Sequence, residues 1–110
     1  MLANPVGITM DRAQNLYVAD DSAQAIFVFA ADTSGNQSPV RTTQGSMTQL
    51  SSPSGIVLKS GFIIVSNPAA NYNTGSVTSY LESANGNVAP SRAIEGSATG
   101  LDFPVGIALH

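Results

Sequence analysis

The chain has 110 residues, 43% of them hydrophobic and only 10% charged, with a net charge of −3 and no cysteine. A domain of that size can bury a modest core, and sparse charge beside ample apolar residues argues against disorder. With only Arg12, Arg41, Lys59 and Arg92 as fixed cations there is no basic patch for nucleic acid, disulfides and thiolate metal sites are excluded, and no apolar run approaches the roughly 18 residues that a bilayer span takes.

The first recognisable phrase is "PVGI" at Pro5 to Ile8, and it opens a strand, Val6 to Met10. A tight loop, "DRAQN" (Asp11 to Asn15), leads to a second strand at Leu16 to Ala19. The turn Asp20 to Gln24 leads to a third at Ala25 to Phe29, and "TSGN" (Thr33 to Asn36) supplies a glycine turn before a fourth at Val40 to Thr43. The phrase then returns as "PSGI" at Pro53 to Ile56, followed by the short link "KSG" (Lys59 to Gly61) and a strand at Phe62 to Ser66. A longer loop, "NPAANYNTG" (Asn67 to Gly75), precedes a strand at Ser76 to Tyr80, and "ANGN" (Ala84 to Asn87) precedes another at Ser91 to Glu95. A third copy, "PVGI", stands at Pro104 to Ile107. Short segments rich in Val, Ile, Phe and Tyr between Gly, Pro and Asn clusters are strand signals, and no stretch keeps a 3.6-residue period for three turns.

Displacing the chain on itself by 51 aligns Gly35 to Ile56 with Gly86 to Ile107, with eleven of twenty-two pairs identical. Leu2, Pro5, Gly7 and Ile8 likewise precede Leu50, Pro53, Gly55 and Ile56 by 48. A period near fifty directs attention to stacked or radial repeats. Four antiparallel strands per repeat make a propeller blade. The segments "IFVF" and "FIIV" are apolar at successive positions, so both faces of each sheet need cover, which neighbouring blades provide. The expected architecture is therefore all-β, with one blade at about 5–50, a second at about 53–101 and the inner strand of a third at 104–110.

The Pro-x-Gly-Ile phrase followed by "NLYVAD" (Asn15 to Asp20), together with the tail "GNVAPSRAIEGSATGLDFPVGIAL" (Gly86 to Leu109), resembles NHL-type β-propeller repeats over essentially the whole chain. The tail looks most like repeats of secreted or surface-exposed bacterial members, so the resemblance implies an extracellular or cell-surface bacterial setting. It also implies a ring of about six blades. Two blades fill that ring only as part of a longer propeller, or when three copies associate head to tail as a homotrimer. In such a ring the terminal strand of one copy and Val6 to Met10 of the next compete for one place. A charge on a blade face, as in Val28→Asp, is expected to dissolve the assembly before it abolishes strand content.

An enzyme needs convergent titratable or metal-binding groups. The lactonases and lyases that the resemblance brings to mind use several such side chains around a channel, with a metal in it, and this sequence offers no matching set. The only histidine is the terminal His110. No catalytic residue, metal ligand or cofactor is therefore assigned. Asp20 and Asp21 are adjacent acids past the second strand, a pair that could face a cation but that suits a turn better; their counterparts in the second repeat align as Ser66 and Asn67. Arg41 and Arg92 recur at equivalent places, with an acid such as Glu95 as the expected partner. Tyr72 between Asn71 and Asn73 is an aromatic among amides, suited to stacking on a sugar or a peptide side chain, and "NQS" at Asn36 matches a glycosylation sequon. The expectation is a non-enzymatic module contacting a protein or carbohydrate through its loops. The alternatives are a piece of a propeller lactonase or lyase, and an assembly-competent fragment without separate activity.

Overall fold

A computed structural model describes residues 2–32, 34–68 and 75–95. Over these residues the chain is all-β apart from one 3₁₀ turn at Ser46–Thr48. The strands are β1 (Pro5–Met10), β2 (Leu16–Asp20), β3 (Ala25–Phe29), β4 (Arg41–Gln44), β5 (Gly55–Lys59), β6 (Phe62–Asn67), β7 (Ser76–Leu81) and β8 (Arg92–Glu95). They form two four-stranded antiparallel sheets, ordered β1-β2-β3-β4 and β5-β6-β7-β8. The strands expected within the described residues are present, with ends shifted by at most one residue. The expected inner strand at 104–110 lies outside the described residues.

The turns explain these boundaries. Ser60 and Gly61 both take positive φ, at 54° and 83°, the pattern of the two-residue turn whose twist matches a hairpin. That turn lets β5 pair with β6 from Lys59↔Phe62 onward. In the first sheet the longer loop is pinned by Asp11, whose backbone carbonyl accepts from Gln14 N–H and whose N–H donates to Asn15 O.

The strand registers match the repeats residue by residue. Ala25↔Gln44 through Val28↔Arg41 in the first sheet become Ser76↔Glu95 through Ser79↔Arg92 in the second. Gly7↔Ala19 becomes Gly55↔Ser66, so Asp20 corresponds to Asn67 rather than to Ser66. The alignment of Asp20 and Asp21 with Ser66 and Asn67 is thus corrected by one position, because the β5–β6 link is one residue shorter than the β1–β2 loop and not two.

The two sheets pack face to face. Tyr17, Ala19, Ile26 and Val28 of the first meet Ile56, Ile63, Val65 and Tyr80 of the second in a single core. Because side chains alternate along a strand, registers tell which faces correspond. The repeat counterparts of Tyr17, Ala19, Ile26 and Val28 are Ile64, Ser66, Val77 and Ser79, on the side of the second sheet turned away from the seam. The counterparts of Ile56, Ile63, Val65 and Tyr80 are Ile8, Leu16, Val18 and Phe29, on the outward side of the first. The sheets therefore stack in the same sense, head to tail.

Val28, buried at 2% exposure, lies inside this intramolecular seam. A charge there would attack the fold of one chain, not a contact between chains, which corrects the expectation for Val28→Asp.

Backbone bonds close the seam at its outer edge. The loop after β7 lies along β4, with Gly86 N–H donating to Thr42 O (2.6 Å) and Gln44 N–H to Gly86 O (3.2 Å). Asn85 and Asn87 add side-chain carbonyls that accept from Thr42 N–H and Met47 N–H at 3.0 and 2.8 Å. At the inner edge β1 approaches β5 so closely that a Cβ on Gly7 would stand 2.1 Å from the Ser54 carbonyl oxygen. Gly7→Ala should therefore force the two sheets apart and destabilise the chain by about 1–3 kcal/mol. A lowered urea midpoint against wild type measures this, with Gly35→Ala, whose Cβ meets nothing within 4 Å, as the control for backbone strain alone.

Candidate functional site

The acids that the sequence offers are engaged by the backbone. Asp20 ends β2 fully buried, and its carboxylate accepts from Ala3 N–H (2.7 Å), Asn4 N–H (3.0 Å) and Ala23 N–H (2.8 Å). Burial pushes this carboxyl up, but the N–H donors of Ala23, Ala3, Asn4 and Ser22 outweigh it and hold it below the usual carboxylate range. An oxygen pair saturated by amide donors has no lone pairs directed at a cation. Asp21 donates its backbone N–H to Asn4 O (3.0 Å), and among the described residues no group of three or more His, Asp or Glu side chains is placed to hold a metal ion.

Asn67 does for the second sheet what Asp20 does for the first. Its Oδ1 accepts from Ser51 N–H (3.1 Å), the counterpart of Ala3, and its Nδ2 donates to Thr78 Oγ1 (3.0 Å). From there a buried chain runs to Tyr80, whose hydroxyl lies 3.0 Å from Thr78 Oγ1 and 2.5 Å from Thr48 O. A carbonyl can only accept and a phenol has one proton, so Tyr80 donates to Thr48 and Thr78 donates to Tyr80. Burial pushes the Tyr80 hydroxyl up to about 12, against a smaller lowering by Thr78. Thr48 belongs to the first repeat, so this chain ties the repeats together at the rim.

At the opposite rim Asp11 accepts from Asn15 N–H, Asn15 Nδ2 and the Tyr17 hydroxyl at 2.9, 3.0 and 3.1 Å. Arg41 Nη2 donates to the same hydroxyl (3.1 Å), with its guanidinium 6.0 Å from the ring centroid. Arg41 thus takes a tyrosine rather than the acid expected for it. Burial and the bond to Asp11 raise the Tyr17 hydroxyl, with Arg41 opposing. Neighbouring loops of the two repeats form a cleft here of about 700 Å³, lined by Asp11, Arg12, Lys59 and Glu82 among others. It presents charges of both signs to solvent.

The three residues Asn71, Tyr72 and Asn73 lie outside the described residues, as does His110. The described strands on either side in sequence end at Asn67 and begin at Ser76, at the rim of Asp20 and Asp21. At that rim Ser52 N–H donates to Gln24 Oε1 (2.8 Å), joining a turn of one repeat to the entry of the next. Sequence reasoning missed the buried chain through Thr78 and Tyr80 and the docking of Asn85 to Asn87 on β4. The recurrence of Gly-Asn at Gly35–Asn36 and Gly86–Asn87 was the available signal for the docking, but it reads as a turn and carries no mark of what it touches.

No family model matches the chain, and no curated protein matches it. No helix among the described residues is long and apolar enough to cross a membrane.

The Asp20 clamp makes stability pH-dependent. Its folded pKa lies below the ordinary value, so its stabilisation is complete above about pH 4 and is lost as pH falls through the folded pKa. Asp20→Asn should lower stability at neutral pH by about 1–3 kcal/mol, since a donor NH₂ then faces backbone N–H groups. It should also flatten the acid limb of a plot of urea midpoint against pH.

Proposed function

We propose that the chain is a non-enzymatic interaction module of the NHL-repeat β-propeller type, presenting the loops at its sheet ends to a protein or carbohydrate. The observation that carries this reading is the pair of four-stranded antiparallel sheets, alike in register and stacked in the same sense. Such stacking with a constant rotation is how blades are arranged around an axis. The acids support an interaction role over catalysis. Asp11 and Asp20, whose carboxylates catalysis or a cation would need free, are bound by amides and a phenol. In this reading six blades close the ring, supplied by three copies or by further repeats of a longer chain, and an extracellular bacterial surface is its setting.

The ligand surface proposed is the rim carrying Asp20, Asp21 and the loop with Asn71, Tyr72 and Asn73. An aromatic flanked by amides provides a stacking plane and paired donors and acceptors, the combination that fits a sugar ring or a peptide side chain. The test is capture of the fluorescently labelled full chain on glycan and peptide arrays, followed by titration of the strongest hit. Binding should weaken at least tenfold in Tyr72→Ala while the far-ultraviolet circular dichroism stays unchanged. Undiminished binding by that variant, or a stoichiometric metal ion found by elemental analysis of the purified protein, would overturn the reading.

A further inference from the structure

Both outward faces of the stacked sheets carry apolar patches, the second with Ser66 and Ser79 among its apolar side chains. On the first, Ile8 and Met10 are 64% and 54% exposed beside Leu16, Val18 and Phe29. On the second, Phe62, Ile64, Val77 and Ile94 line a shallow cleft of about 290 Å³, with Lys59 and Arg92 at its margins. Exposed apolar area of this kind marks a contact surface. What covers it can be read from the seam inside the chain, because the outward face of each sheet repeats the inward face of the other. The first sheet's Ile8, Leu16 and Val18 stand where Ile56, Ile63 and Val65 stand in the core of the second. The second sheet's Ile64, Val77 and Arg92 stand where Tyr17, Ile26 and Arg41 stand in the first.

We infer that the two outward faces are the two halves of one joint, and that a second copy of this chain docks on the first head to tail, reproducing the seam between β1–β4 and β5–β8. The inference rests on the blade-stacking part of the proposed function and adds to it the partner and the contacting groups. The edge bonds can be named by equivalence. Within the chain, the Gly86 peptide bridges Thr42 O and Gln44 N–H. Across the joint, the Gly35 peptide of one copy bridges Ala93 O and Glu95 N–H on the β8 edge of the other. Among the described residues both partners are open to a neighbour. Every residue of β8 is exposed, and Gly35 holds the positive φ of 70° seen, at 96°, in Gly86. An exposed strand edge with unpaired amides is a template for such pairing, and the fit of unlike faces makes the contact heterologous, so that it closes into a ring when the rotation allows.

Two substitutions test the joint from its two sides. Ile8→Asp charges the outward face of the first sheet and Ile94→Asp that of the second. Both positions are well exposed within the single chain, so each variant should keep wild-type circular dichroism. By light scattering over a wide concentration range the wild type should have a discrete multiple of the single-chain mass, threefold for a ring of six sheets, and each variant alone should fall to one chain. An equimolar mixture of the two should then form a dimer and nothing larger. The intact second-sheet face of Ile8→Asp meets the intact first-sheet face of Ile94→Asp, and the remaining pair of faces is spoiled. A monomeric wild type, a single variant that keeps the wild-type mass, or a mixture that stays monomeric would each overturn the inference. A monomer that still binds a glycan or peptide through Tyr72 would remove the joint alone, whereas an assembly that binds neither would remove the rim reading alone.

Discussion

The approach of β1 to β5 is the constraint on which the rest of the structure depends. With the Ser54 carbonyl 2.1 Å from where a Gly7 Cβ would be, the inner strands of the two sheets lie closer than any side chain permits. That proximity sets how far Tyr17, Ala19, Ile26 and Val28 reach into Ile56, Ile63, Val65 and Tyr80. It also gives a physical reason for the glycine in the Pro-x-Gly phrase. Gly7 is a spacer, since it sits within a strand and has no positive φ. Its role is the absence of a side chain, not conformational freedom.

A seam that tight needs its polar groups settled, and the structure settles them with buried side chains that cap backbone donors. Asp20 and Asn67 are equivalent, buried, and each receive the backbone N–H that begins its own repeat, from Ala3 and Ser51. An ionised acceptor takes three amides in the first repeat, while an amide takes one and passes a proton donor on to Thr78 in the second. Charge-assisted bonds are about twice as strong as neutral ones, so the first rim depends on ionisation and the second does not. The two repeats are alike in backbone and differ in how their rims respond to acid.

Strand positions, their number and their grouping by four were legible because they depend on local patterns: β-branched and aromatic runs, Ser-Gly and Asn-Gly turns, and a phrase that recurs. The both-sided burial of β3 was legible for the same reason, as apolar residues stood at successive positions in Ala25–Phe29, whereas in β6 Phe62 is exposed and Ile64 half-buried on the outward side. Which face met which was not. The assignment of Val28 to an outer surface failed because alternation gives two faces without saying which one the next repeat covers. The partner of Arg41 was missed for a related reason. Tyr17 is twenty-four residues distant and faces Arg41 only because Val28 lies between them in the register, Tyr17↔Val28↔Arg41. An acid such as Glu95 was the expectation, and cross-strand geometry overrode it.

The seam inside the chain and the joint proposed between chains are alike in strand register and unlike in chemistry. Inside the chain, Asp11, Tyr17 and Arg41 link into one hydrogen-bonded line. At the outward face the same three register positions hold Lys59, Ile64 and Arg92. Two cations and an aliphatic side chain cannot rebuild that line, so an outer joint would draw on apolar burial and backbone edge pairing, with the cations left at its wet margin. Burial of that kind is strong but undirected. Direction would come from the β8 edge, where a peptide must present a donor and an acceptor in register. A repeat scaffold of this sort can therefore keep one geometry while its rims and seams diverge in polarity, at positions where its own two copies differ: Asp11 against Lys59, Tyr17 against Ile64, and the four residues 21–24 against the eight residues 68–75 between the corresponding strands.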